Sequence, residues 1–362
     1  MTRVSEKTSR IQYLDSLRGF AALWVLVLHV AMMPQPNFIL PDWVGLYVKQ
    51  GAMGVELFFV VSAFSLCLSM PGHAKEQRPL IGFALRRFFR IAPLFYLMIA
   101  VSAFFNPAGF EYTWKSVLAN VFFVFNLIPG HGYQTSVVLA GWTIGVEMMF
   151  YVIFPFLYAR ITNIWLAIGG VLATIIISSM FVSVLPLFVT DVANYNMYSI
   201  FNRLPIFMCG LVAFFWLPKL EENENRKSIG ITLVLLAVVL FYAIVNQKVA
   251  FFDSYHWTGV MFACLVVGIG LNPFGLLVNK WTARLGEISY SVYLLHSPII
   301  VLLFPIYKRM QLMELGFIVT FVAAVALTLI IVIPLSAVIY RFWEKPANDY
   351  GRIIANRFAR RS

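Results

Sequence analysis

Apolar residues fall along this chain in runs of about twenty, separated by short polar stretches. A helix needs about 20 such residues to cross the hydrocarbon of a bilayer. The runs predict ten membrane spans, at about 11–33, 50–70, 88–105, 141–159, 164–186, 201–217, 229–247, 257–273, 286–306 and 314–340. One further apolar stretch, 114–129, is short and closes on Pro129-Gly130, so it is expected as a re-entrant or interfacial helix. The predicted fold is an all-α polytopic membrane protein. Residues 1–362 read as a single integral-membrane domain, with no internal repeat and no fused soluble domain.

Charge fixes the expected topology. Ten spans place 20 of the 27 lysines and arginines in inward segments, counting Arg90 at the cytoplasmic edge of the third span, and 5 in outward ones, with Arg18 and Arg203 deeper inside spans. This is the distribution that the positive-inside rule requires when both termini are cytoplasmic. If 114–129 crossed, the loop with Lys219, Arg226 and Lys227 would move outside, together with Arg352, Arg357, Arg360 and Arg361 of the tail. Composition agrees: 61% of residues are hydrophobic and 12% charged, far from a soluble domain. The net charge of +11 is therefore a sum over loops, and no nucleic-acid partner is expected. Cys67, Cys209 and Cys264 all sit in apolar runs and read as core residues, neither a disulfide framework nor a metal site. The first run is too long for a cleavable signal and carries charge.

That first run holds the most informative polar residues, Asp15, Arg18 and His29. Charged groups at membrane depth are costly and usually have a partner or a task. Arg18 and His29 are eleven residues apart, which on a helix is three turns plus roughly 20°, so they share a face about 16 Å apart along the axis. The competing reading is a snorkelling arginine and a packed histidine. Asp15, three residues before Arg18, is placed to pair with it and orient it.

Other polar groups cluster at helical spacing. Arg86, Arg87 and Arg90 lie at the cytoplasmic edge of the third span; two or three guanidiniums on one face suit phosphate groups, although they also suit a lipid-headgroup anchor. Glu147 stands five or six residues into a span entering from outside, at a depth like that of His29. It could orient that histidine or act as a base, or pair with an arginine such as Arg203. Ser289 and His296, seven apart, share a face with Tyr290 and Tyr293 nearby, as a polar tunnel or as interhelical hydrogen-bonding groups. Glu344 could brace an arginine at the cytoplasmic face, and His131 is a weaker candidate substrate contact. No phosphate-binding Gly-rich loop, metal-spaced His/Cys cluster or nucleophile elbow occurs, so no metal and no permanently bound cofactor is expected.

Arginines at the cytoplasmic face, a further arginine deeper in and a histidine beyond it suit an extended ligand with phosphates at one end. Acyl-coenzyme A has that shape. The chain also resembles the membrane acyltransferase family 3 enzymes. The matching pieces are Arg18 with ten residues to His29 in the frame LDSLRGF, GVELFFVVSAF at 54–64, RRFFRIAP at 86–93, WTIGVEMMFYVIFP at 142–155, GEISYSVYLLHSP at 286–298 and FWEKP at 342–346. They occur in order across nearly the whole chain. Two departures from the family are read from the sequence: Ala63 stands where SGF is more usual, and a hydrolase-like extracytoplasmic domain, present in some members, is not expected.

The resemblance implies a multi-pass enzyme of the bacterial inner membrane that moves an acyl group, usually acetyl, from cytoplasmic acetyl-coenzyme A to a carbohydrate hydroxyl. Acceptors in the family include lipopolysaccharide O-antigen, exopolysaccharide and peptidoglycan, and a partner protein could deliver the acceptor. By motif, His29 and Arg18 are the essential pair, Arg87 with Arg90, or Arg86 with Arg90, serve the donor, and Glu147 is the second active-site polar residue. Asp15, Ser289, Tyr290 and His296 are supporting residues. His29, oriented by Glu147, is expected to deprotonate the acceptor hydroxyl, or else to carry the acyl group itself. The alternatives are a transporter or flippase of a glycan or small molecule, without acyl-transfer chemistry, and a membrane scaffold.

Overall fold

The computed structural model describes residues 2–73, 76–105, 112–129, 136–249, 253–313 and 316–359. Among these residues there is no strand. The helices are α1 (Thr2–Met32), α2 (Asp42–Lys49), α3 (Met53–His73), α4 (Pro79–Phe105), α5 (Trp114–Val121), α6 (Trp142–Arg160), α7 (Ile164–Val184), α8 (Val192–Met197), α9 (Ile200–Glu221), α10 (Arg226–Val245), α11 (Ser254–Leu271), α12 (Lys280–Glu287), α13 (Ser289–Leu312), α14 (Phe317–Ile339) and α15 (Lys345–Ala359). Among the described residues, ten helical stretches are long and apolar enough to cross a membrane, and each overlaps one of the ten expected runs. The protein is an all-α, multi-pass membrane protein.

The short stretch at 114–129 forms one eight-residue helix and a single 3₁₀ turn, Phe125–Leu127. Eight residues rise about 12 Å, too little to cross. Its start is set locally: the Thr113 side chain accepts from the Ser116 amide, and the Ser116 side chain accepts from the Thr113 amide.

Among the boundaries that differ from the hydropathy reading, three stand out. The stretch expected as loop before the second span is helical in α2, and the apolar segment runs from Asp42 to His73. The third spanning stretch, α4, starts at Pro79 and not near 88, so Arg86 and Arg87 lie on the helix together with Arg90. Pro at the first helical position costs no hydrogen bond, because that amide has no acceptor within the helix. The last span continues through a π turn, Tyr340–Glu344, into α15.

The chain divides into two compact units. The first comprises residues 1–21, 55–75 and 149–287. Within it α9 packs on α7 and α11, and α11 packs on α10. The rings of Phe59 and Phe150 stack on Phe207 at 4.4 and 3.9 Å. A buried ion pair joins Glu56 of α3 to Arg203 of α9 at 2.8 Å. Ile176, Met180, Leu235 and Val239 face outward, an arrangement suited to lipid contact and not to water.

The second unit comprises residues 22–54, 76–148 and 288–362. Within it α4 packs on α15, and α13 packs on α14. Gly351 brings α15 against the Phe89 ring of α4, so close that any Cβ at 351 would collide with the ring.

Candidate active site

In the second unit, α1 and α13 bring two histidines together. Nδ1 of His29 lies 2.8 Å from Nε2 of His296. The ring centroids are 4.9 Å apart with planes 26° from parallel. The excess of centroid separation over N···N distance is close to two ring radii, so both nitrogens lie near the line between ring centres. The contact is therefore an in-plane hydrogen bond and not a face-to-face stack. His296 is fully buried, whereas His29 is half-buried. His296 Nδ1 is 3.2 Å from the Val292 carbonyl, and its Nε2 also lies 3.1 Å from Ser297 Oγ.

The neighbouring polar residues hold this pair in place. The Tyr293 ring lies 5.6 Å from that of His296. Its hydroxyl donates to the Ala140 carbonyl at 3.1 Å and accepts from Thr143 at 3.0 Å. This ties α13 to the start of α6. The α5 segment supports the same junction: Asn120 Oδ1 accepts from Ser136 Oγ at 2.5 Å and from the Val137 amide at 3.3 Å, and Asn126 donates to the Trp142 carbonyl at 3.2 Å. The segment that does not cross thus braces the entry of α6, which carries Glu147 in its second turn.

The three arginines of α4 have different surroundings. Arg86 pairs with Glu76 and donates to Asn356 at 3.3 Å. Arg87 lies over the Phe83 ring, 5.6 Å from its centroid. Arg90 acts electrostatically on Glu344, whose carboxylate accepts from Ser291 Oγ at 2.8 Å. The π turn places Glu344 inward, where it is 6% exposed; such turns often mark functional positions. Tyr290 donates to the Ile91 carbonyl at 2.8 Å and Trp343 Nε1 to the Pro93 carbonyl at 3.0 Å. These bonds pin α13 and the π turn to α4. Ser289 is buried at the start of α13.

In the first unit, Arg18 donates to Asp15 at 2.8 Å and to Ser65 Oγ at 2.7 Å. The expected Asp15–Arg18 pair is therefore formed, and Ser65 of α3 holds the other end of the guanidinium. Ser65 itself donates to the Val61 carbonyl at 2.6 Å.

The structure brings together Asp15 with Arg18, His29 with His296, and Glu344 with Arg90. It does not pair His29 with Glu147: the hydrogen bond of His29 goes to His296, and Glu147 is half-buried on α6. Arg203, one expected partner for Glu147, is taken by Glu56. His131 lies outside the described residues. Sequence reasoning missed Ser65, Glu76 and Ser297. Only Glu76 left a signal, a carboxylate ten residues before Arg86 in a basic segment.

Residues 11–337 match the acyltransferase-domain model of acyltransferase family 3. The chain is 23% identical over 370 residues to O-acetyltransferase OatA of Staphylococcus aureus, covering 93% of this chain and 57% of that one. It is 27% identical over 343 residues to peptidoglycan O-acetyltransferase OatA of Listeria monocytogenes, covering 86% and 52%. It is 26% identical over 324 residues to acyltransferase MdmB of Streptomyces mycarofaciens, covering 80% and 79%. The chain thus spans little more than half the length of the two OatA proteins. No solved structure matches it. Matched over most of its length, the chain belongs to acyltransferase family 3.

Proposed function

We propose that this protein is a membrane O-acyltransferase that moves an acyl group, acetyl in the simplest case, from acyl-coenzyme A to a hydroxyl of a cell-envelope or exported carbohydrate. The observation that carries this reading is the His29–His296 pair inside the family-matched region. His29 is half-buried, and among the described residues its Nε2 makes no hydrogen bond. One ring nitrogen is thus held and the other is left to meet a substrate. A histidine in that state suits general-base work.

In this reaction Nε2 of His29 takes the proton of the acceptor hydroxyl as its oxygen attacks the thioester carbonyl. The C–O bond forms, the C–S bond breaks, and the thiolate of coenzyme A leaves with the proton from His29. Arg86, Arg87 and Arg90 bind the donor phosphates at the cytoplasmic side of an inner membrane, where guanidinium forks match phosphate oxygens. Arg18, held by Asp15 and Ser65, is the other member of the motif's essential pair. Glu147 is a second polar group for the acceptor side. The Listeria relative is named for peptidoglycan, which favours an envelope glycan as acceptor here, delivered by a partner protein where the glycan is not freely accessible.

The test uses the full chain in proteoliposomes with acetyl-coenzyme A and a crude envelope glycan. Release of free coenzyme A by wild type, and not by an equally folded His29→Ala variant, supports the reading. Equal turnover in both removes His29 from the chemistry. Failure of wild type to bind acetyl-coenzyme A removes acetyl transfer from it.

A further inference from the structure

We infer that His296 is a positioning residue for His29: it fixes the tautomer in which Nδ1 of His29 carries a proton and Nε2 presents the lone pair that receives the acceptor's proton. The inference rests on the acyl-transfer reading above for its kinetic consequence, but not for its structural content.

The argument starts from the one group in the chain of contacts that cannot change role. The Val292 carbonyl can only accept. His296 Nδ1 lies 3.2 Å from it, so in the neutral ring the proton sits on Nδ1 and is donated there. The alternative tautomer would set a lone pair against a carbonyl oxygen in a fully buried site, with both acceptors unsatisfied. His296 Nε2 is therefore an acceptor. Two groups approach it, Nδ1 of His29 at 2.8 Å and Ser297 Oγ at 3.1 Å. The shorter and in-plane contact is that of His29, whose Nδ1 must then donate. A neutral imidazole has one proton, so Nε2 of His29 is left bare. The polarity runs in one direction, from His29 through His296 to the helix backbone.

The same arrangement responds to the reaction. Once Nε2 has taken a proton, His29 is a cation and its Nδ1–H is a charge-assisted donor to His296, a stronger bond than in the neutral state. An interaction that strengthens as charge develops lowers the barrier rather than merely tightening binding. His296 does this without touching substrate. Tyr293, beside His296 and tied to Ala140 and Thr143, keeps the ring from turning away.

The test combines ring nitrogen NMR with kinetics on the full chain in nanodiscs. The chain has five histidines, so the His29 signals are assigned by their loss in His29→Ala. Wild type is expected to show a protonated Nδ1 and an unprotonated Nε2 at His29 at a pH where the ring is neutral. In His296→Leu the ring is released and the Nε2-protonated form appears. His296→Gln, whose amide oxygen can accept in place of Nε2, retains the wild-type tautomer. On the kinetic side, His296→Leu should lower kcat on the order of 100-fold, part of what a positioned base contributes, with the KM for acetyl-coenzyme A unchanged and His296→Gln recovering much of the loss. An Nε2-protonated His29 in wild type, an unchanged tautomer in His296→Leu, or an undiminished kcat in that variant overturns the inference. If wild type transfers no acyl group, the functional reading fails while the NMR comparison still decides what His296 does to His29.

Discussion

Glu56 and Arg203 offer a sharp quantitative test of how the first unit is held together. Arg203 Nη1 donates to Glu56 Oε1 at 2.8 Å, and the two side chains are 2% and 5% exposed. Arg203 also donates to the Met197 carbonyl at 2.9 Å and lies over the Tyr255 ring at 4.3 Å. Removing one partner of a buried pair typically costs about 3–5 kcal/mol, because it strands the other charge. Two effects place Glu56→Leu at the lower end. Arg203 keeps the carbonyl and the ring, and in the unfolded reference state of a membrane protein the helices remain inserted and find other partners. A loss of about 3 kcal/mol is expected. Arg203→Met should cost less, because a stranded carboxyl can bind a proton whereas a guanidinium cannot lose one. The double variant should cost about 1 kcal/mol or less, since two apolar side chains replace the pair without leaving a charge. The assay is reversible unfolding by sodium dodecyl sulfate in mixed micelles, run as a double-mutant cycle. A cost below about 1 kcal/mol for Glu56→Leu, or a double variant as unstable as the two singles combined, refutes the reasoning.

Three further outcomes follow from close contacts. Gly286→Ala drives a methyl into the main chain of Asp15; backbone cannot rotate aside, so a loss of about 1–3 kcal/mol in the same unfolding assay is expected, with activity falling alongside as the Asp15–Arg18 pair shifts. Gly82→Ala instead meets the ends of flexible side chains, those of Glu76 and Arg86, so stability should change by less than about 1 kcal/mol, while the KM for acetyl-coenzyme A rises as the Arg86 pair is displaced. Asn120→Ala removes the acceptor of Ser136 and of the Val137 amide. Leaving those buried donors unsatisfied should cost about 1–3 kcal/mol and speed proteolysis at the 136–141 loop relative to wild type.

The ten helices were legible because bilayer thickness sets a length, and length survives in a one-dimensional pattern. Charge settled the harder question of 114–129, since a short apolar run can be a core helix, a strand or a re-entrant segment by periodicity alone. Boundaries were less legible where polar residues belong to helices. Arg86, Arg87 and Arg90 lower the local hydropathy, yet helical propensity and a Pro79 start carry α4 well past them. The extension of the last span through a π turn is invisible to hydropathy for the same reason.

Two pairings were legible, Asp15 with Arg18 from spacing on one helix and Glu344 with an arginine of the cytoplasmic face from shared depth, whereas the partner of His29 was not. Asp15 and Arg18 are three residues apart on one helix, and the spacing predicted their contact. His29, Glu147 and His296 sit on three different helices, and depth alone makes either Glu147 or His296 a partner for His29. What decides between them is which helix faces α1 at that level, and this depends on packing across the second unit. Charge intuition favoured the carboxylate, because a histidine cation is best stabilised by an anion. A membrane interior penalises that choice, since each buried ion must be compensated at all times and not only while the proton is in transit. A neutral imidazole as the partner satisfies the hydrogen bond in every state and carries no charge of its own, which is the physical reason the structure can bury His296 completely beside a half-buried His29.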